Sequence, residues 1–287
     1  MNLKLMRFNL LLLVLLLFAP PLFCAQSLLS ADGTTNTYKL IEAAFGPGAY
    51  EVPDCAHPAF GPHITQAWDT DLGKYVFVFH IHATLDNDRC EKFDRQRCEI
   101  KTYEPSADFL KGFQGDVCTY RWKFKLDANF QPSKSFCHIH QIKAVGGDDG
   151  MPLITLTPRA EWPEKLQIIF IPPTGQGNQT VLTDADLSSF KGVWVEAEEK
   201  VRYGDKGSYD LVIRRVKDGA VLFSYNNQNL DLWREGASFI RPKWGIYRSL
   251  KTHDSLRDED VRFDDFCVGK GAAVCGENQN PTVTATP

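Results

Sequence analysis

The chain is dominated by short segments in which apolar and polar residues alternate. The segment Lys74–His82 places Phe77, Phe79 and Ile81 on one face and more polar side chains on the other. A period of two residues is typical of a β-strand with one buried face. The same reasoning predicts extended segments at 97–103, 119–126, 135–144, 153–157, 166–171, 192–203, 209–216, 220–225 and 261–268.

Turn residues separate most of these segments, as in Lys217-Asp-Gly219. Helical periodicity is scarce, and short helical turns are expected only at 106–111, capped by Ser106, and at 184–190, capped by Asp184. Ten or more strands without a repeat favour one all-β domain, a two-sheet β-jelly-roll sandwich of the concanavalin-like type. Such a bent sheet would offer a concave groove to a long polymer.

The two ends of the chain differ from this body. Lys4 and Arg7 precede an apolar run at Leu10–Phe18, which is shorter than the roughly 20 residues of a membrane span. We therefore expect residues 1–25 to be a signal peptide, a retained anchor being the alternative, and the mature protein to be secreted and extracellular. Residues 26–276 would form the single domain and 277–287 a disordered, Thr/Pro-rich tail.

Charge and cysteine content agree with that compartment. The formal net charge of −4 argues against a nucleic-acid partner. Eight cysteines less Cys24 of the signal leave seven, which should form disulfides. Proximity suggests Cys90–Cys98 and Cys267–Cys275, and neighbouring strands would suit Cys118–Cys137, with Cys55 left over or displacing one of these. The sequon Asn178-Gln-Thr180 suggests a glycosylated surface loop.

The strand around Gly245 carries the most informative side chains. Lys243 and Tyr247 share the glycine's face, whereas Trp244 and Ile246 point to the other. A cation and a phenol beside a gap suit an anionic ligand that gains or loses a proton, and the glycine would leave room for it. The alternative is an edge strand with a solvated lysine.

A second strand places Arg97, Glu99 and Lys101 on one face. Three alternating charges can simply be a solvated face. Alternatively they are the floor of a groove, where Glu99 would hold Arg97 or Lys101 and the free cation would meet an anionic substrate. Arginine suits this task because its planar fork binds a carboxylate through two hydrogen bonds.

A third polar strand runs from His138 to Lys143. Gln141 and Lys143 share one face and His138 and His140 the other, unless a β-bulge re-aims part of the strand.

Metal binding has little support in the sequence. The His138/His140 and His80/His82 pairs lack an evident third ligand, and no Cys-x-x-Cys occurs. We expect no cofactor, apart from a possible structural calcium ion at the acidic turn Asp86–Asp88.

Together, in this order, these segments resemble the jelly-roll polysaccharide lyases. The closest resemblance is to the glucuronan lyases of polysaccharide lyase family 20, with a looser one to heparin lyase I and alginate lyases. It spans roughly residues 75–269 and rests on His80-Ile-His82, Asp94–Tyr103, His140–Lys143 and Lys243–Arg248. Two departures from the alginate lyase motifs are Lys143, where a histidine is usual, and Arg241, where a tyrosine is usual.

The resemblance implies β-elimination at a uronic acid. Tyr247 would take the C5 proton and return a proton to the leaving O4, with its pKa lowered by Lys243. Gln141 and Arg97 would neutralise the substrate carboxylate, and His82 would be the second proton-transfer group if the geometry were anti. The substrate-binding set would be Lys243, Lys143, Lys101, Glu99 and His140. The implied partner is an acidic polysaccharide, with no membrane partner once the signal is removed.

Two other functions remain open from the sequence. Glu196 and Glu198 share a strand face and vaguely resemble the paired carboxylates of sandwich glycoside hydrolases. A non-catalytic glycan-binding protein could use Arg97, Lys101 and Lys243 simply to hold an acidic polymer.

Overall fold

A computed structural model describes residues 25–173, 178–271 and 275. Within these residues the chain is an antiparallel two-sheet sandwich, which confirms the all-β jelly-roll prediction. The expected signal peptide, apart from Ala25, and the tail 277–287 lie outside the described residues. None of the described helices has the length and apolar character that crossing a bilayer requires.

The described residues form fifteen strands, one α-helix and three short 3₁₀ turns. The helix is α1 (Thr37–Phe45). The strands are β1 (Gln26–Leu29), β2 (Tyr50–Glu51), β3 (Ile64–Asp69), β4 (Lys74–Ile81), β5 (Arg95–Lys101), β6 (Val117–Leu126), β7 (Cys137–Val145), β8 (Ile154–Arg159), β9 (Lys165–Phe170), β10 (Thr180–Asp186), β11 (Val195–Arg202), β12 (Gly207–Arg215), β13 (Val221–Leu230), β14 (Phe239–Ser249) and β15 (Glu259–Lys270).

The strands form two sheets with a shared core. The front sheet has the order β10-β9-β8-β7-β14-β5-β2. The back sheet has the order β13-β12-β11-β6-β15-β4-β3, with β1 added beside β15. Trp244 of the front sheet and Trp122 of the back sheet are fully buried, and their ring centroids lie 5.8 Å apart. The apolar face of each alternating strand therefore points into one core, as the pattern predicts.

The segments that the sequence pattern missed have weak periodicity. Strand β3 reads Ile-Thr-Gln-Ala-Trp-Asp, with burial that does not alternate. Helix α1 is one short element that buries only Ile41 and Phe45, and Asn36 caps it by accepting the Lys39 N–H at 3.2 Å. The two expected helical turns are 3₁₀ turns at Asp108–Leu110 and Leu187–Phe190, but the predicted caps are wrong: the first has no side-chain cap, and Asp186 caps the second.

The disulfides differ in part from the predicted pairs. Cys267–Cys275 is confirmed, but Cys90 pairs with Cys55 instead of Cys98. Cys98 cannot reach Cys90 because its side chain points into the core from β5, with Sγ 3.4 Å from the His63 carbonyl oxygen.

The predicted Cys118–Cys137 bond is also wrong. Cys118 lies in β6 and Cys137 in β7, which are consecutive along the chain but belong to opposite sheets. Both are buried free thiols, and burial raises the pKa of each above its ordinary value.

Gly245 serves the sheet rather than a ligand. Its φ of 145° lies in the region that favours glycine, and a Cβ there would be 2.1 Å from the Cys98 carbonyl oxygen and 2.7 Å from Glu99 Cα. The space that the sequence suggested for a sugar is thus filled by the backbone of β5. The glycine lets β14 and β5 approach closely.

We predict that Gly245→Ala lowers the free energy of unfolding by about 1–3 kcal/mol or more, because the added methyl group collides with main-chain atoms. Gly219→Ala is the matched control: its φ is 69°, but no atom lies within 4 Å of the added Cβ. Urea titration of both variants measures the difference. Equal losses in the two variants would contradict the close-approach explanation.

Candidate active site

The outer face of the front sheet carries a dense set of polar side chains. Strand alternation points them away from the core in three neighbouring strands. They are Arg95, Arg97, Glu99 and Lys101 of β5, Lys243 and Tyr247 of β14, and His138, Gln141 and Lys143 of β7. The structure thus brings together most of the predicted site.

A β-bulge decides which histidine joins this face. Trp244 pairs with His140 and Tyr247 with His138, so three steps along β14 correspond to two along β7. His138 therefore lies beside Tyr247, with ring centroids 6.0 Å apart. His140 turns inward with Trp244, where the rings are 5.5 Å apart. The predicted pairing of both histidines on one face is corrected by the bulge.

His140 is consequently a core residue, contrary to its predicted place in the substrate-binding set. It is only 1% exposed, and its Nε2 lies 3.0 Å from Glu199 Oε2 of the back sheet. Its Nδ1 lies 2.9 Å from the Lys243 carbonyl oxygen. Both ring nitrogens thus have hydrogen-bond partners, Nδ1 within the front sheet and Nε2 in the back sheet.

Two buried carboxylates organise the charges of the face. Glu51 of β2 contacts Lys243, Lys101 at 2.9 Å and Arg97 at 3.3 Å. Glu99 contacts Arg97 at 2.6 Å and Lys243 at 2.9 Å. Burial favours the protonated form of Glu51, but the three cations hold its pKa well below its usual range.

This network changes the expected roles of the lysines. Glu99 holds Arg97, as predicted, but Lys101 and Lys243 are also held by carboxylates. Neither is the free cation that the sequence suggested. Burial lowers the pKa of both lysines, while the carboxylates favour their charged forms.

The Arg97 guanidinium packs on the ring of Tyr247. Its Nε lies 2.9 Å from Asp88 Oδ1 and its Nη2 3.1 Å from Asp88 Oδ2, so the fork that could bind a substrate carboxylate already binds the protein's own. The guanidinium carbon lies 3.7 Å from the Tyr247 ring centroid. Arg97 is therefore a positioning residue in this structure.

Tyr247 lies at the centre of the face, with 9% of its surface exposed. Arg95 Nη1 donates a hydrogen bond of 2.9 Å to its hydroxyl. Burial raises the pKa of Tyr247 above its ordinary value despite the opposing charges of Arg97 and Arg95. The predicted lowering of this pKa by Lys243 is wrong, because Lys243 is engaged by Glu51 and Glu99.

A cavity of about 300 Å³ opens above these residues, within the range of small-ligand sites. Its lining includes Tyr247, His138, Gln141, Lys143 and Arg95. The Gln141 amide donates to the buried Glu99, which fixes the orientation of the amide at the cavity wall.

Two cations at the cavity are held by neutral groups. The Lys143 ammonium donates to the Asp149 and Gly150 carbonyl oxygens, and Arg159 donates to that of Ser135. Burial lowers the pKa of Lys143 to about 8, and the charge of Lys243 adds to the effect. An anionic ligand would supply the missing counter-charge.

His138 also lines the cavity, although the sequence did not identify it as a site residue. Burial lowers its pKa to about 3, so the imidazole is neutral at physiological pH. Its Nδ1 lies 2.7 Å from Thr157 Oγ1. Only a correctly placed bulge would have identified it, and a bulge leaves no clear signal in this sequence.

His82 does not share the cavity. It follows β4 in the back sheet, and its ring lies 4.8 Å from that of His57 and 5.4 Å from that of His63. Its Nδ1 lies 3.0 Å from Asp86 Oδ2. These four side chains form a separate cluster whose donor atoms could hold a metal ion.

The acidic turn does not converge on a calcium site. Asp86 faces the histidines, while Asp88 binds Arg97 and Arg89. Asn87 Oδ1 accepts the Cys90 N–H at 2.7 Å. The oxygen atoms of the turn thus point to different protein donors.

The paired carboxylates considered for hydrolysis lie away from the cavity. Glu196 and Glu198 are on β11, on the outer face of the back sheet. Glu196 lies 3.8 Å from Arg121 and 3.9 Å from Lys123, and Glu198 is exposed. This arrangement is typical of a charged solvent face.

Comparison with known proteins relates the chain to others through its structure. No family model matches the sequence. No curated protein matches it either. Solved structures do match, among them an endo-β-1,4-glucuronan lyase from the fungus Trichoderma reesei, with a TM-score of 0.54 and 16% identity over 86% of this chain and 95% of that one.

Two alginate lyases match to a similar extent. The family 14 enzyme of Aplysia kurodai has a TM-score of 0.56 and 13% identity, covering 85% of this chain and 98% of its own. The family 7 enzyme A1-II′ has a TM-score of 0.54 and 14% identity, covering 86% and 92%. The chain has the jelly-roll fold of these polysaccharide lyases. At these identities the likeness establishes the fold.

We predict that Glu51→Gln lowers the free energy of unfolding by about 3–5 kcal/mol, because it removes one counter-charge from a buried network of cations. Asp218→Asn, which breaks the exposed pair with Arg215, should leave stability unchanged. Denaturant titration at neutral pH compares the two. Because its folded pKa is depressed, the Glu51 contribution is present above its unfolded pKa of roughly 4.3 and is lost as the pH falls below it. Equal stability of Glu51→Gln and wild type would contradict the network's importance.

Proposed function

We propose that the protein is a secreted polysaccharide lyase that cleaves a uronic-acid-containing polysaccharide by β-elimination. The observation that carries the proposal is the position of Tyr247. Its hydroxyl accepts a hydrogen bond from Arg95, its ring lies on Arg97, and it lines a cavity with Gln141 and Lys143. The fold shared with glucuronan and alginate lyases supports the assignment.

The chemistry requires a base, an acid and a group that neutralises charge. Tyr247, as phenolate, takes the C5 proton of the uronate, while the Gln141 amide and the Lys143 ammonium bind the C6 carboxylate on which negative charge develops. The C5 electron pair then forms the C4–C5 double bond and the C4–O4 bond breaks. Tyr247 returns the proton to O4, so it is again a phenolate at the end of the reaction.

The environment of Tyr247 suits both steps. A phenol with a raised pKa is a strong base once it is deprotonated, and Arg95 stabilises the phenolate by donating to its oxygen. Arg97 holds the ring in place from the other side. Asp88 and Glu99 hold Arg97 in place, and Arg97 in turn orders the Tyr247 ring before substrate arrives.

The arrangement suits a substrate in which the C5 proton and O4 lie on the same side, such as glucuronan. In a β-linked glucuronate the C5 proton and O4 lie on the same side, so one residue can serve as base and acid. The second group considered for an anti elimination, His82, does not line the cavity. Tyr247 can serve as both base and acid in this syn geometry, and the Trichoderma reesei glucuronan lyase shares the fold.

Secretion is part of the same proposal. The two disulfides, Cys55–Cys90 and Cys267–Cys275, favour an oxidising compartment. The basic and apolar start of the sequence is typical of a secretory signal.

We predict that Tyr247→Phe lowers kcat on glucuronan roughly 10²- to 10⁴-fold, because the ring packing remains but the proton-transfer group is lost. The measurement is the ultraviolet absorbance of the unsaturated product. Tyr225→Phe, outside the cavity on β13, is the matched control and should retain full activity. Full activity of Tyr247→Phe would contradict the assignment. Release of reducing ends without absorbance would indicate hydrolysis, and binding without either signal a glycan-binding protein.

The pKa of Lys143 predicts a pH dependence of substrate binding. Since its pKa is lowered to about 8, the ammonium loses its charge as the pH rises through that value. KM should then increase about tenfold with the loss of a charged hydrogen bond. Lys143→Arg stays charged over this range and should abolish the increase. An identical rise in KM for the variant would show that another group is responsible.

A further inference from the structure

We propose that His57, His63, His82 and Asp86 form a binding site for one zinc ion, separate from the cavity. Each side chain offers one ligand atom, and these four atoms all lie within 4.8 Å of one another. Among the described residues no other group of three or more potential ligands is this compact.

Three separate parts of the chain supply the ligands. His57 lies in the loop between β2 and β3, His63 directly precedes β3, and His82 directly follows β4. The Asp86 carboxylate is fixed beside His82, whose backbone N–H donates to Oδ2 at 2.6 Å. The Cys55–Cys90 disulfide ties the loop that carries His57 to the segment that follows Asp86.

The spacing of the donor atoms suits a tetrahedral ion. Asp86 Oδ1 lies 3.1 Å from His63 Nε2 and 3.5 Å from His57 Nδ1, and Asp86 Oδ2 lies 3.0 Å from His82 Nδ1. With metal–ligand bonds of about 2.0–2.2 Å, neighbouring tetrahedral ligands lie about 3.3–3.5 Å apart. The contacts with Asp86 are thus close to tetrahedral spacing, and all four ligand atoms lie within 4.8 Å of one another.

One ligand atom, which lies 3.5 Å from Asp86 Oδ1, is not hydrogen-bonded. His57 Nδ1 is buried and makes no hydrogen bond within the part of the chain that the structure describes. An unsatisfied buried nitrogen is costly, and it points into the cluster, where a metal ion would satisfy it. The nitrogen thus marks the centre of the cluster independently of the other three ligands.

The next layer of residues is arranged as at known zinc sites. Asp54 Oδ1 lies 2.8 Å from His63 Nδ1, which orients the opposite nitrogen of that ring toward the cluster. The Tyr38 hydroxyl in turn donates to Asp54 at 2.6 Å. A carboxylate behind a ligating histidine fixes its tautomer and raises its basicity.

The ligand types select the metal. Three imidazoles and one carboxylate suit zinc, whereas calcium and magnesium prefer oxygen ligands alone. The Phe60 ring packs on the cluster, with its centroid 4.3 Å from that of His82 and 4.9 Å from that of His63, and limits access of water.

The site has a structural role. Asp86 is two residues from Asp88. Asp88 binds Arg97, whose guanidinium packs on the Tyr247 ring. A zinc ion at Asp86 would therefore fix the segment that positions the guanidinium, without touching substrate. The ion would also join the loop of His57 to both flanking strands of the back sheet.

The test uses the mature, full-length protein after removal of metal by a chelator and dialysis. Zinc titration followed by calorimetry, with the metal content measured by elemental analysis, should give one zinc per chain. At zinc concentrations 100-fold above Kd, Tm should rise by about 5–10 °C. Both readouts are independent of lyase activity.

His57→Ala is the decisive variant, because the apo protein loses no hydrogen bond of its Nδ1. It should keep the Tm of the metal-free wild type and bind zinc at least about 10- to 100-fold more weakly. His80→Asn is the matched control. His80 lies beside the cluster, but its nitrogens face Asp260 and Thr65 at 2.6 and 2.8 Å, so zinc affinity should not change.

Three results would overturn the proposal: no zinc retained by the wild type, equal affinity in His57→Ala, or an equal loss in His80→Asn. Cobalt offers a second measurement. Strong visible bands of four-coordinate cobalt in the wild type, absent in His57→Ala, support the site, and their absence from the wild type contradicts it.

Discussion

The front face depends on two buried carboxylates, Glu51 and Glu99, set among three cations. Charges removed from water are strongly destabilising unless they are paired in good geometry. Here the pairing links three strands, because Glu51 belongs to β2, Glu99 and Arg97 to β5, and Lys243 to β14. The register of these strands is therefore fixed by charge as well as by the apolar core.

That constraint concentrates the chemistry on few groups. Arg97 is occupied by the protein's own carboxylates and acts by holding Tyr247. In the proposed reaction the uronate meets the Tyr247 hydroxyl, the Gln141 amide and the Lys143 ammonium, which all line the cavity. Most charges of this face are therefore paired within the protein, whereas Lys143 and Arg159 at the cavity donate to carbonyl oxygens.

Strand alternation alone was sufficient to predict the sandwich and the side chains of β5 and β14, since each position along a regular strand faces alternately out and in. Predictions from alternation were wrong where a strand pair contains a bulge or where the chain forms a loop. The bulge where β14 pairs with β7 separates His138 from His140. The partners of His82 come from loops without periodicity, as does Cys55, the true partner of Cys90. The pKa of Tyr247 depends on burial, which no spacing reveals.

The mass of the products formed from glucuronan distinguishes the proposed β-elimination from hydrolysis. β-Elimination at Tyr247 creates a C4–C5 double bond without adding water. Every new non-reducing end should therefore be lighter by one water than the corresponding end of a hydrolysis product, and Tyr247→Phe should form almost none. Products that carry the added water, or unsaturated products formed equally well by Tyr247→Phe, would contradict the account.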